Sequence, residues 1–270
     1  MTALIDITPP GGKPTRIEYE FIGHDEADAP WLVILHEGLG SVAMWKDFPR
    51  QLCTACGVRG LVYSRPGYGR STPRAATEHW APDFMHRQAR DVLPALLKAL
   101  HAPPRYHLFG HSDGASIALI HAAAFPGRVA GATVLAPHIL VEPLSVASIT
   151  DARVAFLDPQ TRLRERLARH HDDVDSAFWG WNDIWLAPAF RDWNLRDIVP
   201  AIRCPVLAIQ GFDDAYGTMA QIDGIASALP PGQCTELKLD HCGHSPHRDQ
   251  PAAVIAATRD FLQRTTSAVA

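Results

Sequence analysis

Residues Gly110, His111, Ser112, Asp113 and Gly114 follow an apolar, strand-like run from Tyr106 to Phe109 and precede a helix-like run from Ala115 to Ala124. A serine at a sharp strand-to-helix turn is placed to act as a nucleophile, because its hydroxyl is presented above the sheet edge. The glycines suit such a turn, which crowds its neighbours and forces the central residue into an unfavourable backbone conformation. A serine hydroxyl is a weak nucleophile at its own pKa. The chemistry therefore also needs a base to take the proton and a carboxylate to orient that base.

Both are available downstream. Gly211, Phe212, Asp213 and Asp214 follow the strand-like Val206 to Gln210, which puts a carboxylate on the loop beyond a strand end, where open α/β sheets bind their ligands. Three histidines, His241, His244 and His247, lie between the last strand-like run and the last helix-like run, giving the chain order serine, acid, histidine. His244 follows Gly243, which leaves room for its ring to approach the serine. A metal cluster is the competing reading of this loop, with Asp240 and Cys242 as further ligands. No second ligand cluster completes it elsewhere, so no metal is expected.

Seven short apolar runs bounded by Gly or Pro predict the strands that carry these loops: Ile17 to Ile22, Trp31 to Leu35, Gly60 to Tyr63, Tyr106 to Phe109, Gly131 to Leu135, Val206 to Gln210 and Cys234 to Leu239. Helical runs such as Pro82 to Leu100, Ala115 to Ala124 and Pro251 to Arg264 separate or follow them. This is the pattern of a mostly parallel sheet covered on both faces. The alternation breaks between about 143 and 203, where Arg and His rows and four tryptophans occur without a convincing strand. That stretch is expected to be a helical insertion into a core formed by residues 1–142 and 204–270.

The chain has 270 residues, 47% of them apolar and 20% charged, which argues against disorder, collagen and coiled coil. Its 25 basic and 29 acidic residues, without a basic run, argue against nucleic-acid binding. No stretch approaches the roughly 18 consecutive apolar residues of a membrane span. Met1 to Glu20 lacks the basic-then-hydrophobic order of a secretion signal, so a soluble cytoplasmic protein without membrane partners is expected. Five cysteines in a chain of this size read as reduced thiols rather than a disulfide framework. Cys53 and Cys56 form a Cys-x-x-Cys, but they end a helix-like segment and have no partner pair for zinc, which argues against a redox or metal role.

Over nearly its whole length the sequence resembles the α/β-hydrolase-fold serine hydrolases. Leu35-His36-Glu37-Gly38-Leu39-Gly40-Ser41 resembles that family's oxyanion-hole loop, and Ser64-Arg65-Pro66-Gly67-Tyr68-Gly69-Arg70-Ser71 its Arg-Gly-x-Gly-x-Ser loop. Gly243-His244-Ser245-Pro246-His247-Arg248-Asp249-Gln250-Pro251 resembles its catalytic-histidine loop. The resemblance implies Ser112 as nucleophile, His244 as base and, by the family's Gly-x-x-Asp spacing, Asp214 rather than Asp213 as acid. It places the oxyanion hole at the backbone N–H groups of Gly38 and Asp113. Glu37 departs from the family pattern, which commonly has glycine there. Two acids, Glu37 and Asp113, would oppose negative charge in the intermediate unless a cation neutralised them. Glu37 is therefore expected to pair with an arginine, Arg65 or Arg70, beneath the site.

These features imply hydrolysis of a small carboxylic ester or lactone through an acyl-serine, with no cofactor. A thioesterase or carbon–carbon bond hydrolase would use the same residues. A ligand receptor that kept the fold but turns over little is the alternative of another class. The insertion would form a cap over the serine, with Trp179 and Trp185 lining the pocket and His138, just past a strand end, facing it. Nothing in the sequence indicates a homo-oligomer.

Overall fold

A computed structural model describes residues 2–24, 26 and 29–267. In chain order the elements are β1 (Ala3–Ile7), β2 (Thr15–Gly23), β3 (Trp31–Leu35), α1 (Phe48–Cys56), β4 (Arg59–Tyr63), α2 (Phe84–Arg87), α3 (Leu93–Ala99), β5 (Tyr106–His111), α4 (Asp113–Ala124) and β6 (Val129–Leu135). There follow α5 (Pro143–Leu157), α6 (Leu163–Ala168), α7 (Val174–Leu186), β7 (Val206–Gly211), α8 (Ala220–Ala228), β8 (Cys234–Leu239), α9 (Pro246–Asp249) and α10 (Pro251–Ser267). The eight strands form one sheet in the order β1-β2-β4-β3-β5-β6-β7-β8. β1 and β2 are antiparallel to their neighbours, and β4 through β8 run parallel.

All seven expected strands form, within two residues at either end, and one was missed. β1 is an edge strand whose residues are mostly exposed, although four of the five in Ala3-Leu4-Ile5-Asp6-Ile7 are apolar. In the central strands both faces are covered. Leu32 and Ile34 of β3 point to one side, with Phe109, Leu207 and Ile209, against Leu52 of α1 and Phe261 of α10. Val33 and Leu35 point to the other side, with Leu108, Val134 and Ala208, against Ile117 and Ile120 of α4.

The run expected as one helix over Pro82 to Leu100 is interrupted. Between α2 and α3 the chain makes a π turn over Gln88–Val92, with the N–H of Leu93 bonded to the carbonyl of Gln88. Pro94 is the physical reason: it has no N–H to donate, and its ring would press on the carbonyl four residues back. The segment between β6 and β7 contains α5, α6 and α7. Phe156 of α5 stacks on Phe178 of α7 at 3.7 Å, and Arg153 Nε donates to Asn182 Oδ1 at 2.6 Å, joining these two helices.

Candidate active site

β5 ends at His111 and α4 begins at Asp113, so Ser112 alone makes the reversal, at φ 54° and ψ −120°. A non-glycine residue holds such a conformation only where its surroundings enforce it. The glycines on either side supply the room. A Cβ on Gly110 would strike the Gly114 carbonyl, and one on Gly114 would strike the carbonyl of Leu35 in the neighbouring strand. The parallel register sets Leu35 beside Gly110 and Leu135 beside His111. The loops after β3, β5, β6, β7 and β8 therefore meet at one edge of the sheet.

At that edge His244 Nε2 lies 2.9 Å from Ser112 Oγ, and His244 Nδ1 lies 2.8 Å from each oxygen of Asp214. A carboxylate only accepts, so Nδ1 carries a proton and Nε2 is left to accept from the serine hydroxyl. Asp214 also accepts from Gln210 Nε2 at 2.7 Å and from the Tyr216 N–H at 2.7 Å. Burial alone would raise the Asp214 carboxyl, but the hydrogen bond and charge of His244, with the Tyr216 N–H, hold it below its ordinary value. Asp213, the other acid of this loop, is exposed. His111, next to the serine, places Nε2 2.6 Å from the carbonyl oxygen of His244 and so joins the elbow to the histidine loop.

The loop after β3 is aimed by its own peptide plane. The Glu37 carbonyl lies 2.7 Å from His36 Nδ1 and accepts from Arg65 Nη2, also at 2.7 Å. His36 Nε2 accepts from the Arg65 N–H at 3.0 Å, which leaves the His36 proton on Nδ1, directed at that carbonyl. In a trans peptide the N–H points opposite to the C=O, so these bonds turn the Gly38 N–H away from Arg65. The Asp113 N–H is at the first position of α4, where no intrahelical acceptor exists and the helix dipole favours negative charge. Trp181 lies so close over Gly38 that a Cβ there would strike its indole.

Glu37 does not pair with either arginine named from the sequence. Its Oε1 is 3.7 Å from Arg248 Nη2 and its Oε2 is 3.6 Å from His111 Nδ1. Arg65, fully buried, instead holds the Glu37 carbonyl and sits 3.9 Å from Asp113 Oδ2, while the Arg70 N–H bonds to Glu18. Arg248 belongs to the histidine loop, so only the folded chain brings it to Glu37. Burial pushes the Asp113 carboxyl up to about 6, with Arg65 and the Trp185 indole pulling the other way.

A cavity of about 210 Å³ opens over Ser112, bordered by Gly38, Asp113 and His244, by His138 after β6, and by Ile149, Trp181 and Trp185 of the helical segment. Trp185 and His138 are thus where the sequence suggested. Trp179 is not among the lining residues. It packs edge-on against Phe156 and Phe178 with Arg153 over its ring, and Trp181 faces the cavity in its place. The four-residue spacing of Trp181 and Trp185 puts both on one face of a helix, a signal that was readable once the helix was assigned. Tyr216, also missed, lines the cavity with its ring 4.7 Å from that of His244. Among the described residues no group of three or more His, Cys, Asp or Glu is arranged to hold a metal ion. The Cys53 thiol is pushed up to about 12 by burial, which disfavours the reactive thiolate. No described helix is long and apolar enough to cross a membrane.

Residues 32–257 match the alpha/beta hydrolase family, and the chain belongs to it. It is 26% identical to a 2-succinyl-6-hydroxy-2,4-cyclohexadiene-1-carboxylate synthase from Enterobacter sp. (strain 638), over 87% of this chain and 92% of that one. Among solved structures it is similar to a thermophilic esterase from Thermogutta terrifontis, with a TM-score of 0.71 at 21% identity, covering 97% of this chain and 99% of that one. It is also similar to the enol-lactonase from Burkholderia xenovorans LB400, with a TM-score of 0.71 at 20% identity, covering 96% of this chain and 100% of that one.

Proposed function

We propose that the protein is a serine hydrolase that cleaves a small carboxylic ester or lactone through an acyl-Ser112 intermediate. The observation that carries this reading is the continuous relay from Ser112 Oγ through His244 to Asp214, set at a strained turn beneath a cavity. Ser112 Oγ attacks the substrate carbonyl carbon while His244 Nε2 takes its proton. The oxyanion that forms accepts from the N–H groups of Gly38 and Asp113. Collapse breaks the bond to the leaving oxygen, which takes the proton from His244. A water then attacks the acyl carbon as His244 takes its proton; collapse breaks the bond to Ser112 Oγ, which takes that proton back from His244, and the carboxylic acid is released. Asp214 keeps the imidazole in the working tautomer. Residues 143–203 act as a cap that supplies the far wall of the site. At about 210 Å³ the cavity lies below the roughly 300–1,000 Å³ usual for drug-sized ligands, in keeping with a small acyl group.

The 2-succinyl-6-hydroxy-2,4-cyclohexadiene-1-carboxylate synthase is named for a carboxylate product, whereas among the described residues no Lys or Arg lines this cavity. Labelling with a fluorophosphonate probe tests the reading. Modification confined to Ser112, and lost in Ser112→Ala and His244→Ala, is the expected result. A folded wild-type protein that takes no label would refute it and favour a receptor of the same fold.

A further inference from the structure

Among the described residues no Lys or Arg lines the cavity. Glu37 and Asp113 both border it, but the Asp113 carboxylate is taken up by the Trp185 indole and lies 3.9 Å from buried Arg65, whereas Glu37 is partly exposed and lies 3.7 Å from Arg248. Neither arginine borders the cavity. Despite its partial burial, Glu37 is held well below the ordinary carboxylate range, first by the neighbouring His111. A substrate carboxylate brought here would lose its water and find no cation to replace it.

His138 is the second observation. Its ring lines the cavity at 3% exposure, 4.9 Å from the Trp185 ring and 5.7 Å from the His244 ring, and Nδ1 is buried without a hydrogen-bond partner. The backbone of His138 is occupied, its N–H and carbonyl both meeting Ser116 Oγ. A buried polar ring left unpaired is costly unless a ligand or water completes it. Burial pushes this imidazole down to about 3, so at neutral pH it offers one donor and one acceptor and no charge.

We propose that the site selects a short, uncharged acyl group bearing a hydrogen-bonding oxygen, with His138 as the partner of that oxygen, and that Glu37 turns away acyl groups bearing a carboxylate. This rests on the serine-hydrolase reading and names the substrate class of that site. The remaining lining, with Leu39, Ile149, Trp181 and Tyr216, suits the hydrocarbon part of such a group.

Three 4-nitrophenyl esters of nearly equal size make the test: pentanoate, 4-oxopentanoate, and hemisuccinate, which replaces the terminal methyl of the oxo acid by a charged oxygen. Rates are taken above the uncatalysed background. The wild-type enzyme is expected to favour 4-oxopentanoate over pentanoate by about tenfold in kcat/KM and over hemisuccinate by about 100-fold or more. In His138→Phe the preference for the oxo acid over pentanoate falls to within about twofold, and in Glu37→Gln the discrimination against hemisuccinate narrows by about tenfold. Wild-type enzyme that hydrolyses all three alike overturns the proposal without any variant, as does a preference unchanged in His138→Phe. If no ester is turned over while Ser112 still takes the fluorophosphonate, the acyl assignment is wrong and the serine-hydrolase reading stands. If Ser112 is not labelled either, both fall.

Discussion

The indole Nε1 of Trp185, on α7, donates to Asp113 Oδ1 at 3.1 Å, tying the helical segment over the cavity to the residue that follows Ser112. Both side chains are buried, so the bond is made away from water, and Arg65 approaches the other carboxylate oxygen. Trp185→Phe removes the donor together with the pyrrole half of the buried indole. It should cost about 2–4 kcal/mol in urea unfolding, because Asp113 Oδ1 is left buried and unsatisfied and buried ring atoms are lost. The same variant should lower kcat more than it changes KM if the bond also holds the Asp113 backbone in place. Unchanged stability would show that the bond contributes nothing.

Asp113 makes a pH-dependent prediction. Its carboxyl is pushed up to about 6 by burial, against 3.8 for the free side chain. Between those values the folded state binds more proton than the unfolded state, so its contribution to stability is present below about pH 4 and is lost as pH rises through about 6. Asp113→Asn removes the titration. The melting temperature of wild type relative to this variant should therefore fall as pH rises from about 4 to about 6.5. A constant difference across that window would mean that Asp113 does not titrate there.

Gly38 bears on packing as well as on the proposed oxyanion site. A Cβ at this position would strike the Trp181 indole, so Gly38→Ala should destabilise the protein by about 1–3 kcal/mol. Because one contact is responsible, adding Trp181→Leu should recover part of that loss, and the two effects should be less than additive. Additive losses would place the cost of the alanine elsewhere.

The site was legible where it is carried by local spacing and opaque where it is carried by side-chain direction. Ser112 between Gly110 and Gly114, with a strand before and a helix after, is a pattern that a short stretch of chain contains whole. β3 to β7 are equally legible, since coverage on both faces makes each a near-continuous apolar run. β1, Ala3-Leu4-Ile5-Asp6-Ile7, is apolar at four of five positions yet lies exposed at the sheet edge. Choosing Trp181 over Trp179 required the bounds and phase of α7, which the aromatic spacing alone does not give. The partner of Glu37 was harder still, because Arg248 lies 211 positions away in the chain and meets it only when the histidine loop folds back over the end of β3. Arg65 was named correctly as a neighbour and wrongly as the side-chain partner: it binds the Glu37 carbonyl, a backbone contact that no residue pattern encodes.

Asp214→Asn probes the relay itself. The native carboxylate is met by three donors, His244 Nδ1, Gln210 Nε2 and the Tyr216 N–H, and as an acceptor it satisfies all of them. An asparagine has one oxygen, and its amide would put N–H groups against at least one of these donors. The simplest relief is for His244 to move its proton to Nε2 and accept at Nδ1. Nε2 could then no longer take the proton of Ser112 Oγ, 2.9 Å away. The fold should persist, because the substitution is isosteric, while kcat falls by on the order of 10³ to 10⁴. The stability of wild type relative to this variant should decline on acidification. The Asp214 carboxyl is held below its ordinary value, so the stability it contributes is present above the ordinary carboxylate pKa and is lost as pH falls through the depressed one. Retention of near-normal kcat in a folded Asp214→Asn protein would remove Asp214 from the relay and leave Asp213 as the acid to test.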